Sequence, residues 1–187
     1  MNNFMLKYWL KNKKKWFFKR NKLMVKKLGI AEFKNISNVI DIGCGAYGGI
    51  FSAIKFSKMI GIDPLWDLYK EYIDLPEDIL KVIGTFEKFN YTEKVDLIVC
   101  VDSINYCDNL VFAARQIISH LDVNGYFVLH LNLRNKKQLN KNHKYLYTED
   151  NIINAFNKLY CLRFNIFKSD PINKKKYKTC IGIWRKI

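Results

Sequence analysis

A short apolar run followed by four closely spaced glycines, NVIDIGCGAYGG at residues 38–49, constrains the fold of this chain more than any other stretch. The apolar run is typical of a buried strand, and the glycines allow the backbone to turn sharply and to approach a ligand. The spacing Gly43-x-Gly45-x-x-Gly48 after a strand is typical of nucleotide-binding loops in α/β proteins. We therefore expect a strand, a binding loop and then a helix over residues 48–57.

Apolar strand-like runs alternate with helical patterns along the rest of the chain. We expect further strands at residues 58–63, 79–84, 94–103, 126–133, 161–169 and 177–187. We expect further helices at residues 65–73, 109–121 and 149–160. This alternation predicts an α/β fold, a Rossmann-like doubly wound sheet that is mostly parallel, with helices on both faces. No helical pattern separates the last two runs, so they should form an antiparallel C-terminal hairpin at one edge.

The positive charge is concentrated at the N-terminus. Residues 1–28 carry ten Lys or Arg and no Asp or Glu, and the formal net charge of the chain is +15. We expect a basic N-terminal arm, residues 1–30, followed by one domain at residues 31–187. Apolar residues recur along the arm at a period of about 3.6 residues, which predicts one amphipathic helix or two short ones. The apolar side carries Met5, Tyr8, Trp9, Trp16 and Leu23.

Three interpretations of this arm stay open. In the first, residues 4–28 bind an anionic membrane, with lysines near the headgroups and aromatic side chains in the interface. In the second, which is the less favoured, the same charges attract nucleic acid. In the third, the helix packs over the sheet of its own domain and leaves its lysines in solvent.

Cysteine, histidine and hydrophobicity patterns limit the class of protein. The five cysteines include no C-x-x-C pair and the three histidines are far apart, so we expect a reducing compartment and no metal site. No run of about 18 apolar residues is present. The basic N-terminus also lacks the apolar segment and cleavage site of a secretory signal. We therefore expect a cytoplasmic protein that is at most peripheral at the inner face of the membrane.

An acidic residue ends the second predicted strand. Asp63 lies 20 residues after Gly43, where a carboxylate can accept hydrogen bonds from both hydroxyls of a ribose. Dinucleotides and S-adenosylmethionine both carry a ribose and are both compatible with the loop. Asp41 favours S-adenosylmethionine, because an acid at that position suits its cationic amine and is not part of the dinucleotide pattern. The alternative for the loop is a tight turn that binds no ligand. The alternative for Asp63 is a cap of the next helix.

Three segments resemble motifs of the class I S-adenosylmethionine-dependent methyltransferases. VIDIGCGAYGG at 39–49 resembles the first motif, and GIDP at 61–64 resembles the acidic second motif. LDVNGYFVLHL at 121–131 resembles the motif before the fifth strand, with Val-Asn in place of the usual Pro-Gly. Their order and spacing agree over residues 36–133, and the C-terminal antiparallel pair agrees with the family fold. The resemblance implies S-adenosylmethionine as cofactor and methyl transfer as activity.

Position by position, the resemblance implies a set of cofactor-binding residues at the ends of the first four strands. These are Asp41, Gly43, Cys44, Gly45, Gly48, Asp63, Pro64, Gly84, Thr85, Phe86, Val101, Asp102 and Ser103. It also places Leu65 beside the adenine and Asn105 near the methyl donor. Cys44 is expected to be a small packed residue rather than a nucleophile, and a helix cap is the alternative role of Asp102.

A narrower resemblance concerns the acceptor. IGIDPLWDLYKEY at 60–72, with a partial match in NHKYLYTED at 142–150, resembles small bacterial methyltransferases linked to surface-polysaccharide or lipid-linked sugar synthesis. This implies O-methylation of a sugar or another small acceptor, including a lipid-linked one. A hydroxyl acceptor needs a base, for which Asp102 and His143 are the candidates. A solvated loop position is the alternative for His143, and His130 is expected to be a core or edge residue.

Two other functions remain open. The chain lacks the Pro-rich box of amino-group nucleic-acid methyltransferases and the Pro-Cys nucleophile of cytosine-carbon methylation. Other RNA methyltransferases lack both, so an RNA acceptor guided by the arm is one alternative. A non-catalytic cofactor-binding protein is the other.

Overall fold

Seven strands form one sheet within the described residues. The computed structural model describes Lys7, Lys11 and residues 14–74, 76–133, 146–171 and 178–187. The strands are β1 Asn38–Ile42, β2 Lys58–Ile62, β3 Leu80–Val82, β4 Val95–Val101, β5 Leu121–Leu133, β6 Tyr160–Phe167 and β7 Lys178–Arg185. Their order is β3-β2-β1-β4-β5-β7-β6. The first five run parallel, whereas β7 pairs antiparallel with β5 and β6. The mostly parallel sheet with an antiparallel C-terminal edge is therefore confirmed.

The described residues also hold four α-helices. They are α1 Lys14–Leu28, α2 Trp66–Tyr69, α3 Leu110–His120 and α4 Glu149–Ala155. The side chain of Asn109 caps α3 by accepting from Phe112 N at 3.0 Å. Thr148 and Asn151 form a capping box at the start of α4, which satisfies backbone donors that the first turn leaves unpaired. The three helices predicted after β2 are thus confirmed, with shorter bounds.

Neighbouring strand residues point to opposite faces of the sheet, and helices cover both faces. Ile40 of β1 packs in an apolar cluster with Ile117 of α3. The adjacent Val39 packs in a second cluster with Met24 and Leu28 of α1. Helices α1 and α3 therefore lie on opposite faces of the sheet.

The prediction of a helix directly after the glycine loop was wrong. Residues 48–57 hold only one 3-10 turn, Gly49–Ser52. Gly48 and Gly49 have φ values of 73° and 51°, a left-handed conformation that stops a right-handed helix at its start. Helix α1 packs against this turn, and Asn21 donates from Nδ2 to the Gly49 carbonyl at 2.6 Å. The N-terminal arm thus covers the face that the missing helix leaves open.

The apolar side that the sequence indicates on α1 is not the side that packs against the core. Phe17 and Met24 are 1% and 0% exposed, whereas Trp16 and Leu23 are 45% and 37% exposed. The spacing of seven residues is the same in both pairs, so the period alone does not identify the buried side. Burial shows that the described arm packs over the sheet with its lysines in solvent. The other predicted members, Met5, Tyr8 and Trp9, lie outside the described residues.

None of the helices in the described part of the chain is long and apolar enough to cross a membrane.

Candidate cofactor and acceptor site

The glycine loop bends from the end of β1 toward the end of β2. Gly43 N donates to Ile62 O at 2.7 Å, and Gly45 N donates to Asp63 Oδ2 at 2.9 Å. Gly45 has a φ of 67°, a region that glycine enters without strain. These bonds bring the loop and the Asp63 carboxylate together at the carboxyl edge of the sheet.

Asp63 is a buried carboxylate, 6% exposed. Its Oδ1 accepts from Leu65 N at 2.9 Å, so it also takes part in the start of α2. Burial raises the pKa of Asp63 to about 6, while hydrogen bonds from Leu65, Gly45 and Tyr69 act to lower it. A carboxylate oxygen can accept more than one hydrogen bond, so further hydroxyl donors would stabilise the ionised form.

Asp41 lies beneath the loop. It is 2% exposed, and its Oδ2 accepts from Ile50 N at 2.8 Å. A Cβ atom at Gly49 would lie 1.9 Å from that oxygen, so a residue with a side chain does not fit there. Burial raises the pKa of Asp41 to about 7, while the Ile50 bond and the charge of Arg20 act to lower it. Asp41 thus shapes the loop from below, and its contact with a cofactor amine stays a prediction.

Ser103, which follows β4, fills the space left by the missing side chain of Gly43. Ser103 Oγ donates to Ile42 O at 2.7 Å, and a Cβ atom at Gly43 would lie 2.3 Å from Ser103 Cβ. Cys44 is buried beside them, and burial raises the pKa of its thiol well above the usual value. Cys44 is therefore a small packed residue, as expected, and its contact with the cofactor stays a prediction.

The remaining predicted cofactor residues lie near the ends of strands along the same edge. Gly84 follows β3 and forms an isolated bridge with Phe89, and Phe86 is buried in the core. Of the rest, Gly48 is buried, Val101 is half-buried, and Pro64 and Thr85 are exposed.

Helix α1 covers the glycine loop. Phe17 packs in one buried cluster with Cys44, Leu65 and Trp66, and its ring centroid lies 5.2 Å from that of Tyr47. Cys44 and Leu65 belong to the set expected at the cofactor. The first described turns of α1 therefore close over the same edge of the sheet.

A polar network surrounds Asp102 at the carboxyl end of β4. Its Oδ1 accepts from Asn132 Nδ2 at 2.7 Å and lies 3.1 Å from His130 Nδ1. Its Oδ2 lies 3.2 Å from Arg20 Nη2. Farther inside, His130 Nε2 lies 3.4 Å from Asp170 Oδ1, an ion-pair contact. The backbone of Asp102 has a φ of 56°, an uncommon value outside glycine. Asp102 is thus held by side chains and is not the helix cap considered as its alternative.

Opposite charges alternate along this network. His130 is buried, and burial acts to lower its pKa, but the carboxylates of Asp102 and Asp170 raise it to about 9. Burial acts to raise the pKa of Asp102, but His130 and Arg20 hold it below the usual value. At neutral pH an ionised carboxylate therefore lies beside an imidazolium. Such a carboxylate can orient a hydroxyl or a cation, but it is a weak base.

Solved structures share this architecture. An S-adenosylmethionine-dependent methyltransferase from Clostridium acetobutylicum matches with a TM-score of 0.63 at 14% identity, over 91% of this chain and 92% of that one. N-methyltransferase NodS from Bradyrhizobium japonicum WM9, in complex with S-adenosyl-L-homocysteine, matches with a TM-score of 0.65 at 15% identity, over 89% of this chain and 85% of NodS. TehB from Haemophilus influenzae gives 0.65 at 17% identity over 86% of this chain, which spans 61% of TehB. The chain has the class I methyltransferase fold. No family model and no curated protein sequence matches it.

Within this methyltransferase fold, the network around Asp102 contains residues that sequence reasoning missed. His130 and Asn132 stand two apart in the otherwise apolar second half of β5, residues 126–133, so both point to one face, and that polar pair was a usable signal. Arg20 and Asp170 are distant in sequence from the other members of the network, so no local pattern indicated them. His143, the other candidate base, lies outside the described residues.

Proposed function

We propose that this chain transfers a methyl group from S-adenosylmethionine. The observation that carries the proposal is the buried Asp63 carboxylate, which accepts from Gly45 N at 2.9 Å at the carboxyl edge of a methyltransferase fold. When bound, the cofactor supplies an electrophilic methyl group on a sulfonium. Asp63 would accept hydrogen bonds from the ribose hydroxyls, which favour its ionised form and offset the burial that raises its pKa to about 6.

The other residues at this edge would position and shield the reacting groups. Gly45, with a φ of 67°, would let the backbone approach the cofactor closely, and Leu65 would line the adenine. Phe17 on α1 would exclude water from the loop, since its side chain packs with Leu65 and Cys44. Methyl transfer from a sulfonium depends mainly on in-line alignment, so positioning of this kind supplies much of the required catalysis.

For the acceptor, we propose a hydroxyl of a sugar or another small molecule, including a lipid-linked one. The partial match in NHKYLYTED at 142–150 supports a sugar-linked substrate. The ionised Asp102 carboxylate at the end of β4 would orient the hydroxyl, and His143 is the proposed base. The ten basic residues among the first 28 keep RNA as the alternative acceptor.

Isothermal titration with S-adenosylhomocysteine tests the cofactor. We expect a dissociation constant in the micromolar range, weakened at least tenfold by Asp63→Asn, because hydrogen bonds to a charged group contribute about 1.5–3 kcal/mol each. Asp67→Asn is the matched control, since that side chain is 67% exposed on α2 and should bind like the wild type. Absence of binding by the folded wild type, or binding of NAD in its place, would contradict the proposal.

Transfer of a labelled methyl group tests the acceptor. We expect label in lipid-linked sugars and none in RNA. Label in RNA alone would overturn the sugar proposal and leave the cofactor proposal intact.

A further inference from the structure

The side of α1 that faces away from the core combines apolar and basic side chains. Trp16 and Leu23 are 45% and 37% exposed, and Lys19 and Lys27 are exposed as well. These four residues follow one another at spacings of three or four, so they lie along one side of the helix. We call them the outward strip.

Additional positive charge flanks the outward strip. Helix α1 carries seven Lys or Arg and no Asp or Glu. The flanking exposed lysines are Lys14, Lys15, Lys22 and Lys26. Phe18, 41% exposed, adds a further apolar side chain next to them. A helix surface of this composition complements an anionic surface that has an apolar interior.

Contacts on the opposite side fix the direction in which the outward strip points. Phe17 and Met24 are buried against the domain, and Asn21 donates to both Gly49 O and Ser52 Oγ, at 2.6 and 2.9 Å. Rotation of α1 to bury Trp16 and Leu23 would expose this well-packed side. The apolar side chains of the outward strip therefore stay available to a partner.

We propose that the outward strip docks α1 on an anionic lipid bilayer. Lysines near an anionic membrane contribute about 1 kcal/mol each, and Trp and Leu enter the interface between headgroups and acyl chains. RNA is the weaker candidate for this surface. Arginine recognises phosphates with two parallel hydrogen bonds and stacks on bases, and the only arginine of α1, Arg20, is directed inward to Asp102.

Docking in this way orients the rest of the molecule. The inner side of the same helix contacts the glycine loop through Phe17 and the end of β4 through Arg20. The carboxyl edge of the sheet would then lie directly behind the docked helix, within reach of an acceptor anchored in the bilayer. This consequence rests on the proposed function, whereas the docking itself does not.

Sedimentation of the full-length protein with sucrose-loaded vesicles tests the docking. We expect binding to phosphatidylcholine vesicles that contain phosphatidylglycerol, and none to phosphatidylcholine alone, at physiological salt. Lys19→Gln combined with Lys27→Gln should lower the partition constant about thirtyfold, because about 1 kcal/mol is lost per lysine. Trp16→Ala should lower it about tenfold, through lost burial of apolar surface.

Matched controls lie outside α1. Lys88→Gln combined with Lys158→Gln removes the same charge from exposed positions outside α1, and Phe112→Ala removes a 43% exposed aromatic from α3. These variants should bind vesicles like the wild type. Equal losses in the controls, or unchanged binding in the strip variants, would overturn the proposal, as would binding to mixed-sequence RNA without binding to vesicles.

Titration with S-adenosylhomocysteine separates the two proposals. Strip variants that lose vesicle binding should keep the wild-type affinity for S-adenosylhomocysteine, which shows that the fold is intact. Vesicle binding by a wild type that fails to bind S-adenosylhomocysteine would contradict the methyltransferase proposal and support the docking.

Discussion

Arg20 Nη2 lies 3.2 Å from Asp102 Oδ2, and this contact ties the N-terminal helix to the carboxyl end of β4. The two side chains are 16% and 25% exposed, so water screens the pair only in part. The basic arm therefore contributes a residue to the candidate site in addition to its packing against the sheet.

Replacement of Arg20 by glutamine tests how much this contact stabilises the fold. We expect the free energy of unfolding in urea to fall by about 1.5–3 kcal/mol, because the Asp102 carboxylate loses a charged hydrogen-bonding partner. Lys70→Gln breaks the exposed ion pair with Asp67, with side chains 61% and 67% exposed, and should cause no measurable change. Equal effects of the two substitutions would show that Arg20 is merely a surface residue.

Sequence reasoning located the parts of this molecule that depend on local patterns. The strand, the glycine loop and Asp63 follow each other within short stretches, so composition and spacing were sufficient. The 3-10 turn Gly49–Ser52 was missed, because the left-handed Gly49 and its contact with Asn21 depend on packing. The network of Asp102 was missed because Arg20 and Asp170 come together only when α1 and the loop after β6 pack against β4 and β5.

The pH dependence of stability provides a test of Asp41. Burial raises its pKa from 3.8 to about 7 in the folded chain. The folded state thus binds the proton more tightly than the unfolded state, so the contribution to stability is fully present below about pH 4 and is lost as pH rises through about 7. We expect the free energy of unfolding of the wild type, relative to that of Asp41→Asn, to fall between about pH 4 and pH 7. Urea unfolding at several pH values measures this difference. Asp67→Asn, a surface control, should keep the wild-type slope, and a flat difference for Asp41→Asn would contradict the burial argument.

His130 should remain an imidazolium at neutral pH. The carboxylates of Asp102 and Asp170 outweigh burial and raise its pKa to about 9. Asp170→Asn removes one of these charges, so we expect the pKa of His130 to fall, as measured by the NMR titration of its ring protons. Asp150→Asn, at an exposed position on α4, is the control and should leave the titration unchanged. A His130 pKa that does not respond to Asp170→Asn would remove Asp170 from the network.

Substitutions at Gly43 and Ser103 test how tightly the glycine loop is packed. Gly43 has a φ of 72°, and an added Cβ atom would lie 2.3 Å from Ser103 Cβ. Gly43→Ala should therefore cost backbone strain of about 1–2 kcal/mol and a packing penalty of about 1–3 kcal/mol in urea unfolding. Gly29→Ala is matched for strain, with a φ of 67°, but its nearest atom is the flexible Glu32 Oε2 at 3.3 Å.

A double substitution separates strain from packing at this position. Ser103→Gly removes the side chain that a Cβ atom at Gly43 would meet, at the cost of the bond from Ser103 Oγ to Ile42 O. In a double-mutant cycle, Gly43→Ala should then cost about as much as Gly29→Ala. If the cost of Gly43→Ala is the same with and without Ser103, strain alone accounts for the glycine, and the packing of Ser103 against the loop has no energetic role.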